Sequence, residues 1–304
     1  MRGSRVAAVS QPRSTSAPAL GSGSSLDRMA DASQIDPSLR IAAVHLDVAD
    51  LPRSAEFYER VLGLPLISRD DEHALLGPDA RRPALELSAI AAPTLLSPHT
   101  TGLFHVAWLH PTRAALADTV RRIAGSRWPI EGASDHGVSE ALYLSDPDGL
   151  GIEIYADRAR AQWERPAGGH GVRMFTRSLD LEDLLAQSSS EIGDGAIAAI
   201  APGASIGHVH LKVADVDRAV AFYRDELGFE EQAQLPSAAF VSAGGYHHHI
   251  GLNSWQSAGA SAPPSSAPQL REIDFELDEQ VPQPQAQPLS DPDGIALRFD
   301  LSDE

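Results

Sequence analysis

Residues 41–50 of this chain read IAAVHLDVAD, and residues 206–215 repeat the pattern as IGHVHLKVAD. At this constant offset, 12 of the 24 residues from 41 to 64 are identical to their counterparts in the second copy. Such self-similarity indicates a duplicated structural unit. In each copy, alternating apolar residues predict a strand, and the aspartate that ends the motif predicts the N-cap of an amphipathic helix.

The two copies differ at one histidine, which separates a scaffold residue from a candidate functional residue. His45 and His210 occupy the same position in both copies, so we expect that they serve the scaffold. His208 stands where the first copy has Ala43. Something particular to the second copy must therefore explain His208.

Composition excludes several classes of function. The chain has 304 residues, of which 42% are hydrophobic, and this is enough for two ordinary domains. Its formal charge of -18 argues against nucleic acid or an anionic membrane surface as a partner. It has no cysteine, which excludes disulfides and thiolate metal sites and suits the cytoplasm. No apolar run approaches the roughly 20 residues of a membrane helix, so we expect a cytoplasmic protein.

The pattern of elements predicts an α+β fold made of tandem βαβββ modules. Residues 1–36 have no hydrophobic periodicity and predict a disordered leader. Residues 37–160 are expected to hold modules one and two, and residues 205–304 module three and a truncated module four. Residues 161–204 are expected to be a connector with one short helix. The modules should form two cup-shaped β-sheets flanked by helices.

Three residues are candidate metal ligands because they differ from their counterparts in the other copy: His105, Glu153 and His208. The counterparts are Glu272, either Leu297 or Arg298, and Ala43. Two histidines and one carboxylate on neighbouring strands form a facial triad, which holds Fe(II) and leaves coordination positions open. Each residue alone has an ordinary alternative, since a strand histidine is often structural and Arg158 is available to pair with Glu153.

Three further positions have the chemistry of proton carriers or hydrogen-bonding groups. The triplet His247–His249 is expected to alternate across a strand, so that His248 points away from its neighbours. Either one of these histidines carries protons, because imidazole titrates near neutral pH, or one is buried in a hydrogen-bond network and two are exposed. His136 is either a surface residue or a site residue, and Tyr143 either a core residue or a hydrogen-bond donor.

Four motifs are specific when they are taken together: residues 132–143 (GASDHGVSEALY), 206–211 (IGHVHL), 222–223 (FY) and 242–251 (SAGGYHHHIG). They resemble the vicinal oxygen chelate superfamily, which includes glyoxalases, bleomycin resistance proteins and extradiol dioxygenases. Within it, the chain is most similar to the catechol 2,3-dioxygenases. The resemblance covers about 41–160 and 205–304, which would then be two glyoxalase-type domains.

The resemblance implies an Fe(II)-dependent enzyme, with Mn(II) as the alternative metal, that cleaves the ring of a small aromatic diol with O₂. It implies that the metal ligands are His105, Glu153 and His208, and that the catalytic residues are His248, Tyr143 and His136. Because these ligands come from modules two and three, module two would have to pair with module three, and module one with module four. A homo-oligomer is a further expectation.

Two other functions stay open at this point. A glyoxalase-type isomerase or lyase would use His248 as a fourth ligand to Ni²⁺, Zn²⁺ or Mn²⁺, since these metals also accept imidazole and carboxylate. A non-catalytic member would bind a small molecule in the same cup. A site with four protein ligands would favour the isomerase.

Overall fold

The structure is a computed structural model that describes residues 34–168, 171–188, 199–278 and 289–302. Most of the predicted leader, residues 1–33, lies outside the described residues. Ile35 is buried, and its main-chain N–H donates to the carbonyl of Gly228 over 3.0 Å. Packed structure therefore begins before residue 37.

Strands dominate the described part of the chain. They are β1 (Arg40–Val48), β2 (Leu66–Arg69), β3 (His73–Leu76), β4 (Leu85–Ala89), β5 (Gly102–His110), β6 (Gly132–Asp135), β7 (Ser139–Ser145), β8 (Gly151–Asp157), β9 (Arg177–Ser178), β10 (Ser205–Lys212), β11 (Glu230–Leu235), β12 (Ala238–Ser242), β13 (Ile250–Asn253), β14 (Gln269–Leu277), β15 (Leu289–Ser290) and β16 (Ala296–Leu301). The α-helices are α1 (Leu51–Phe57), α2 (Arg113–Ser126), α3 (Leu181–Leu185) and α4 (Val216–Ala221). A π-helical turn follows α1 (Tyr58–Leu62) and another follows α4 (Phe222–Glu226), and a 3₁₀ turn spans Arg160–Gln162.

The duplicated motif forms the same local structure in both copies. The Asp50 side chain accepts a hydrogen bond from the main-chain N–H of Arg53 at the start of α1, and Asp215 does the same for Arg218 at the start of α4. These caps satisfy N–H groups that the first turn of a helix leaves free. The first π-helical turn ends at Gly63, whose φ of 76° suits glycine.

The sheet is organised by two strand pairs. β5 pairs antiparallel with β10 and parallel with β8, while β13 runs parallel to β10. β1 pairs antiparallel with β14 and parallel with β4, and β16 runs parallel to β14. One bridge between Ile41 and Ile206 joins β1 to β10, so the two predicted cups share one continuous sheet. The predicted mixed α+β architecture is confirmed, whereas the division into four modules stays a prediction.

β10 is buried on both faces, which places functional side chains on a rigid element. Val209 and Leu211 belong to the apolar core that packs under the helices. His208 and His210 alternate with them and line the cavity that also contains His105. Residues 279–288, which would contain the middle of the predicted fourth module, lie outside the described residues. Within the described ranges, no helix is long and apolar enough to span a bilayer.

Candidate active site

Three adjacent strands bring the predicted metal ligands together. His105 lies on β5, Glu153 on β8 and His208 on β10. The Oε2 atom of Glu153 is 2.9 Å from Nε2 of His105 and 3.2 Å from Nε2 of His208. One donor atom from each residue lies within 4.8 Å of the others. This separation is short enough for one ion to contact all three.

Burial and the contacts between these residues shift the pKa values of Glu153 and His208. All three residues are at most 5% exposed. Burial alone would raise the pKa of Glu153, but His208 and His105 oppose it and hold that pKa well below its ordinary value. Burial lowers the pKa of His208 to about 4, although Glu153 acts to raise it. A carboxylate and a neutral imidazole near pH 7 are the forms that bind metal ions.

The polar atoms of this group fit a bound cation better than a closed hydrogen-bond network. His105 Nε2 lies close to the Glu153 carboxylate but off the direction of a hydrogen bond, and it is a buried nitrogen without a hydrogen-bond partner. Arg158, the alternative partner of Glu153, instead contacts Glu140 and Asp135, at 3.0 Å each. A divalent ion would compensate the buried charge of Glu153 and occupy the free nitrogen.

A second group of potential ligands lies on the other strand pair and already contains its own cation. His45 Nε2 is 2.8 Å from Asp274 Oδ2, and Glu272 lies 3.9 Å from the same nitrogen. The guanidinium of Arg298 contacts the Asp274 carboxylate directly and lies 3.6 Å from Glu272. Because this positive charge is present, the second group suits a divalent ion less well than the first.

The register identifies Arg298, rather than Leu297, as the counterpart of Glu153. Arg298 lies opposite Asp274 of β14, as Glu153 lies opposite Ala107 of β5. The second group of potential ligands therefore has the guanidinium of Arg298 at the position where the first group has the carboxylate of Glu153. This resolves the alternative that the sequence left open.

The structure corrects the prediction for the histidine triplet. His247–His249 lie in the loop between β12 and β13 and do not alternate across a strand. All three are buried, so the interpretation with one buried and two exposed histidines is wrong. The physical reason is a turn at Gly244 and Gly245, whose φ angles of 58° and 62° end β12 before the triplet. The adjacent glycines were the sequence signal for this break.

A chain of hydrogen bonds orients His248. Asp157 Oδ1 lies 2.9 Å from Nε2 of His247, and Nδ1 of His247 lies 2.8 Å from Nδ1 of His248. A carboxylate accepts, so His247 donates from Nε2, and in its neutral form it presents an unprotonated Nδ1 to His248. His248 then donates from Nδ1, which leaves its Nε2 free to take a proton. Sequence reasoning missed Asp157 and the role of His247.

His248 also lies close to the metal-ligand group without joining it. Its ring centroid is 4.0 Å from that of His208. Burial, followed by the neighbouring histidines, lowers the pKa of His248 well below its ordinary value. His248 is therefore a neutral imidazole near pH 7.

His136 and Tyr143 form a pair that lines the same cavity. His136 Nε2 is 2.6 Å from the Tyr143 hydroxyl oxygen. His136 Nδ1 donates to the main-chain carbonyl of Phe175 over 2.9 Å. Burial, and next the charge of Glu153, raise the pKa of Tyr143, so the tyrosine keeps its proton.

One cavity of about 350 Å³ connects all six predicted site residues. Its other walls are largely apolar and come from Phe104, Met174, Phe175, Leu235, Phe240 and Trp255. Phe104 enters because the β5–β10 register pairs His105 with His210 and Leu103 with Leu211, which leaves Phe104 in a bulge. The cavity can hold a small aromatic molecule beside the three ligands.

Comparison with known proteins relates the chain to one superfamily. The sequence profile of the Glyoxalase/Bleomycin resistance protein/Dioxygenase superfamily matches residues 40–154 and 205–279. The chain is 44% identical over 233 residues to a protein of Bacillus subtilis (strain 168) named catechol-2,3-dioxygenase, and this alignment covers 76% of the chain and 79% of the relative. It is 27% identical over 146 residues to biphenyl-2,3-diol 1,2-dioxygenase 3 of Rhodococcus globerulus, covering 46% of the chain and 75% of that protein.

A solved structure gives the same fold. A mutant of glyoxalase I from Zea mays aligns with a TM-score of 0.50 at 16% identity, covering 87% of this chain and 94% of that one. This likeness concerns the fold alone. The relatives named as dioxygenases confirm the prediction of a dioxygenase-like enzyme. The resemblance found in the sequence is also confirmed, and the chain belongs to the Glyoxalase/Bleomycin resistance protein/Dioxygenase superfamily.

Proposed function

We propose that this chain is an Fe(II)-dependent extradiol dioxygenase that cleaves the ring of catechol-type aromatics. The observation that carries the proposal is the convergence of His105, Glu153 and His208 at a largely apolar cavity that His248 also lines. Similarity to relatives named for catechol and biphenyl-diol dioxygenation supports the same reaction class. The reaction adds both atoms of O₂ to the diol and breaks one ring C–C bond beside a hydroxyl. Its product is a ring-opened semialdehyde acid.

The metal would be held by His105, Glu153 and His208. When bound there, Fe(II) supplies the redox chemistry between O₂ and the diol, and three protein ligands leave positions for both. The same ligand set accepts Mn(II), which we keep as the alternative metal. Glu153 is the single anion among the three ligands, so it contributes most of the electrostatic attraction for a divalent ion.

His248 would act as the proton acceptor. Its Nε2 has no proton in the tautomer that the Asp157 and His247 hydrogen bonds impose. It can therefore take a proton from a substrate hydroxyl and return it to the product. A positioned general base of this kind contributes roughly 10²–10⁴ in rate.

Tyr143, His136 and the apolar walls would hold the substrate. Tyr143 lies against His136 and faces the cavity, where it can hydrogen-bond an oxygen of the diol. Phe104, Phe240 and Trp255 would pack against the aromatic ring and exclude water. The polar groups then define which edge of the ring reaches the metal.

The geometry supports the glyoxalase alternative less well. That function would need His248 as a fourth ligand, and it would have to bind through Nε2, because its Nδ1 faces His247 at 2.8 Å. Among the described residues, the donor group that includes Glu153 has three members, and His248 is not one of them. A three-ligand site suits a reaction in which two other molecules share the metal.

Loading the full chain with Fe(II) without oxygen, and then adding catechol and air, tests the proposal. We expect oxygen consumption together with a yellow semialdehyde. The same protein without iron, and the Glu153→Gln variant, should give neither. Bound iron without oxygen consumption would contradict the dioxygenase and favour the glyoxalase-type alternative, and a chain that shows neither would favour a binding protein. The cytoplasmic location and the homo-oligomer stay predictions.

A further inference from the structure

We propose that part of the connector is a working part of the site: Phe175 positions His136 and, through it, Tyr143. The segment concerned is the strap, residues 172–178. It was expected to be only a link between domains. Its effect on a diol rests on the proposed function, but its effect on His136 does not.

Both ends of the strap are fixed to different parts of the sheet. At one end, Val172 is buried, and its N–H donates to the carbonyl of Gln232 on β11 over 3.2 Å. At the other end, Ser178 on β9 pairs with Ser134 on β6. Met174, Phe175 and Thr176, which lie between these ends, line the cavity. The strap therefore crosses from one side of the site to the other.

The Phe175 ring anchors the middle of the strap. It packs so closely on Gly137 that a Cβ added there would lie 2.6 Å from the ring. The guanidinium carbon of Arg177 lies 4.0 Å from the ring centroid, which is a cation–π contact. Gly137 has a φ of 77°, so both its conformation and its neighbour require glycine.

This anchor determines which nitrogen of His136 carries a proton. The carbonyl of Phe175 accepts a hydrogen bond, so His136 must be protonated at Nδ1. In the neutral ring, Nε2 then accepts from the Tyr143 hydroxyl, 2.6 Å away. In this tautomer the Tyr143 hydroxyl donates to His136 rather than to Glu153, its other neighbour, so its oxygen keeps its lone pairs for other donors. Tyr143 is thereby set to accept a hydrogen bond from a substrate hydroxyl.

NMR of the full chain with isotope-labelled histidine, loaded with diamagnetic Zn(II), tests this positioning. Long-range nitrogen–hydrogen correlations distinguish the two neutral tautomers, and the His136→Gln variant identifies the signal. We expect His136 to be protonated at Nδ1 in the wild type and at Nε2 in Phe175→Ala. Phe175→Tyr keeps an aromatic ring in contact with Gly137 and Arg177, so it should show the wild-type tautomer. Met174→Ala is the matched control, because it changes the same cavity wall without touching His136.

Two results would overturn the proposal: a wild-type His136 protonated at Nε2, or a folded Phe175→Ala whose tautomer is unchanged. If Phe175→Ala does not fold, Arg177→Ala removes the cation–π contact with the Phe175 ring. It should lower the fraction of His136 that is protonated at Nδ1. With Fe(II) and catechol, Phe175→Ala should lower kcat at least about tenfold, as loss of an orienting hydrogen bond does at other metal sites. The tautomer of His136 is measured without turnover, so this test does not depend on whether the chain cleaves catechol.

Discussion

Glu153→Gln should separate metal binding from folding. The substitution keeps the size of a buried side chain and removes the single anion among the three proposed ligands. The Glu153 carboxylate lies 2.9 Å from His105 and 3.2 Å from His208, so its loss affects the whole group. We expect a folded protein whose melting temperature responds much less to metal.

The size of the effect follows from linkage. An ion that binds only the folded state stabilises it by about 4 kcal/mol at a thousand times its Kd. In domains of 150–250 residues, each kcal/mol raises Tm by roughly 2–4 °C, so wild type should gain about 8–16 °C. Loss of the anion should weaken binding at least about 100-fold, which removes about 2.7 kcal/mol. The variant should then gain only about 3–6 °C at the same metal concentration.

The assay is thermal unfolding followed by circular dichroism, with Fe(II) under anaerobic conditions and with chelator. Comparing the metal-dependent rise within each protein cancels any change in metal-free stability. Asp274→Asn is the matched control, since Asp274 belongs to the second group of potential ligands. Its metal-dependent rise should equal that of wild type. A full rise in Glu153→Gln, or a lost rise in Asp274→Asn, would refute the assignment.

Three further predictions concern acid–base chemistry and stability. His248→Asn should keep its iron, measured by elemental analysis, while kcat for catechol cleavage falls by roughly 10²–10⁴; an unchanged kcat would exclude His248 as the base. Burial lowers the pKa of His110 to about 4, so its contribution to stability is lost as pH falls from the unfolded pKa of 6.5 toward 4. Between pH 7 and pH 5, the free energy of unfolding, measured with urea, should therefore fall by about 2 kcal/mol less in His110→Gln than in wild type. Equal falls in the two proteins would contradict this. Arg298→Leu should lose about 1 kcal/mol in urea unfolding, a value reduced for the 49% exposure of Arg298; no loss would mean that Asp274 needs no cation.

Local patterns predicted the strands and helices that surround the site. The repeated motif contains its own strand pattern and its own N-cap, Asp50 or Asp215, and both depend on neighbours in sequence. Helix α2 (Arg113–Ser126) likewise has a local N-cap, since the Thr112 side chain accepts a hydrogen bond from the main-chain N–H of Ala115. The internal repeat also singled out His208, since a scaffold residue would have been present in both copies.

Long-range register and backbone turns could not be predicted in the same way. The choice of Arg298 over Leu297 depends on which residue lies opposite Asp274, and only strand pairing decides that. In a regular strand, Phe104 would point away from the face that His105 occupies, but the bulge lets Phe104 line the cavity as well. Phe175 is close to His136 in space but 39 residues away in sequence. No local pattern connects them.

Metal analysis of the full chain, purified without chelator and then loaded with Fe(II), shows whether the three proposed ligands hold an ion. We expect about one iron per chain in the wild type and none in the His105→Ala, Glu153→Ala and His208→Ala variants, with Asp274→Asn like wild type. Iron that persists in the three alanine variants, or a wild type that binds no transition metal, would exclude this metal site.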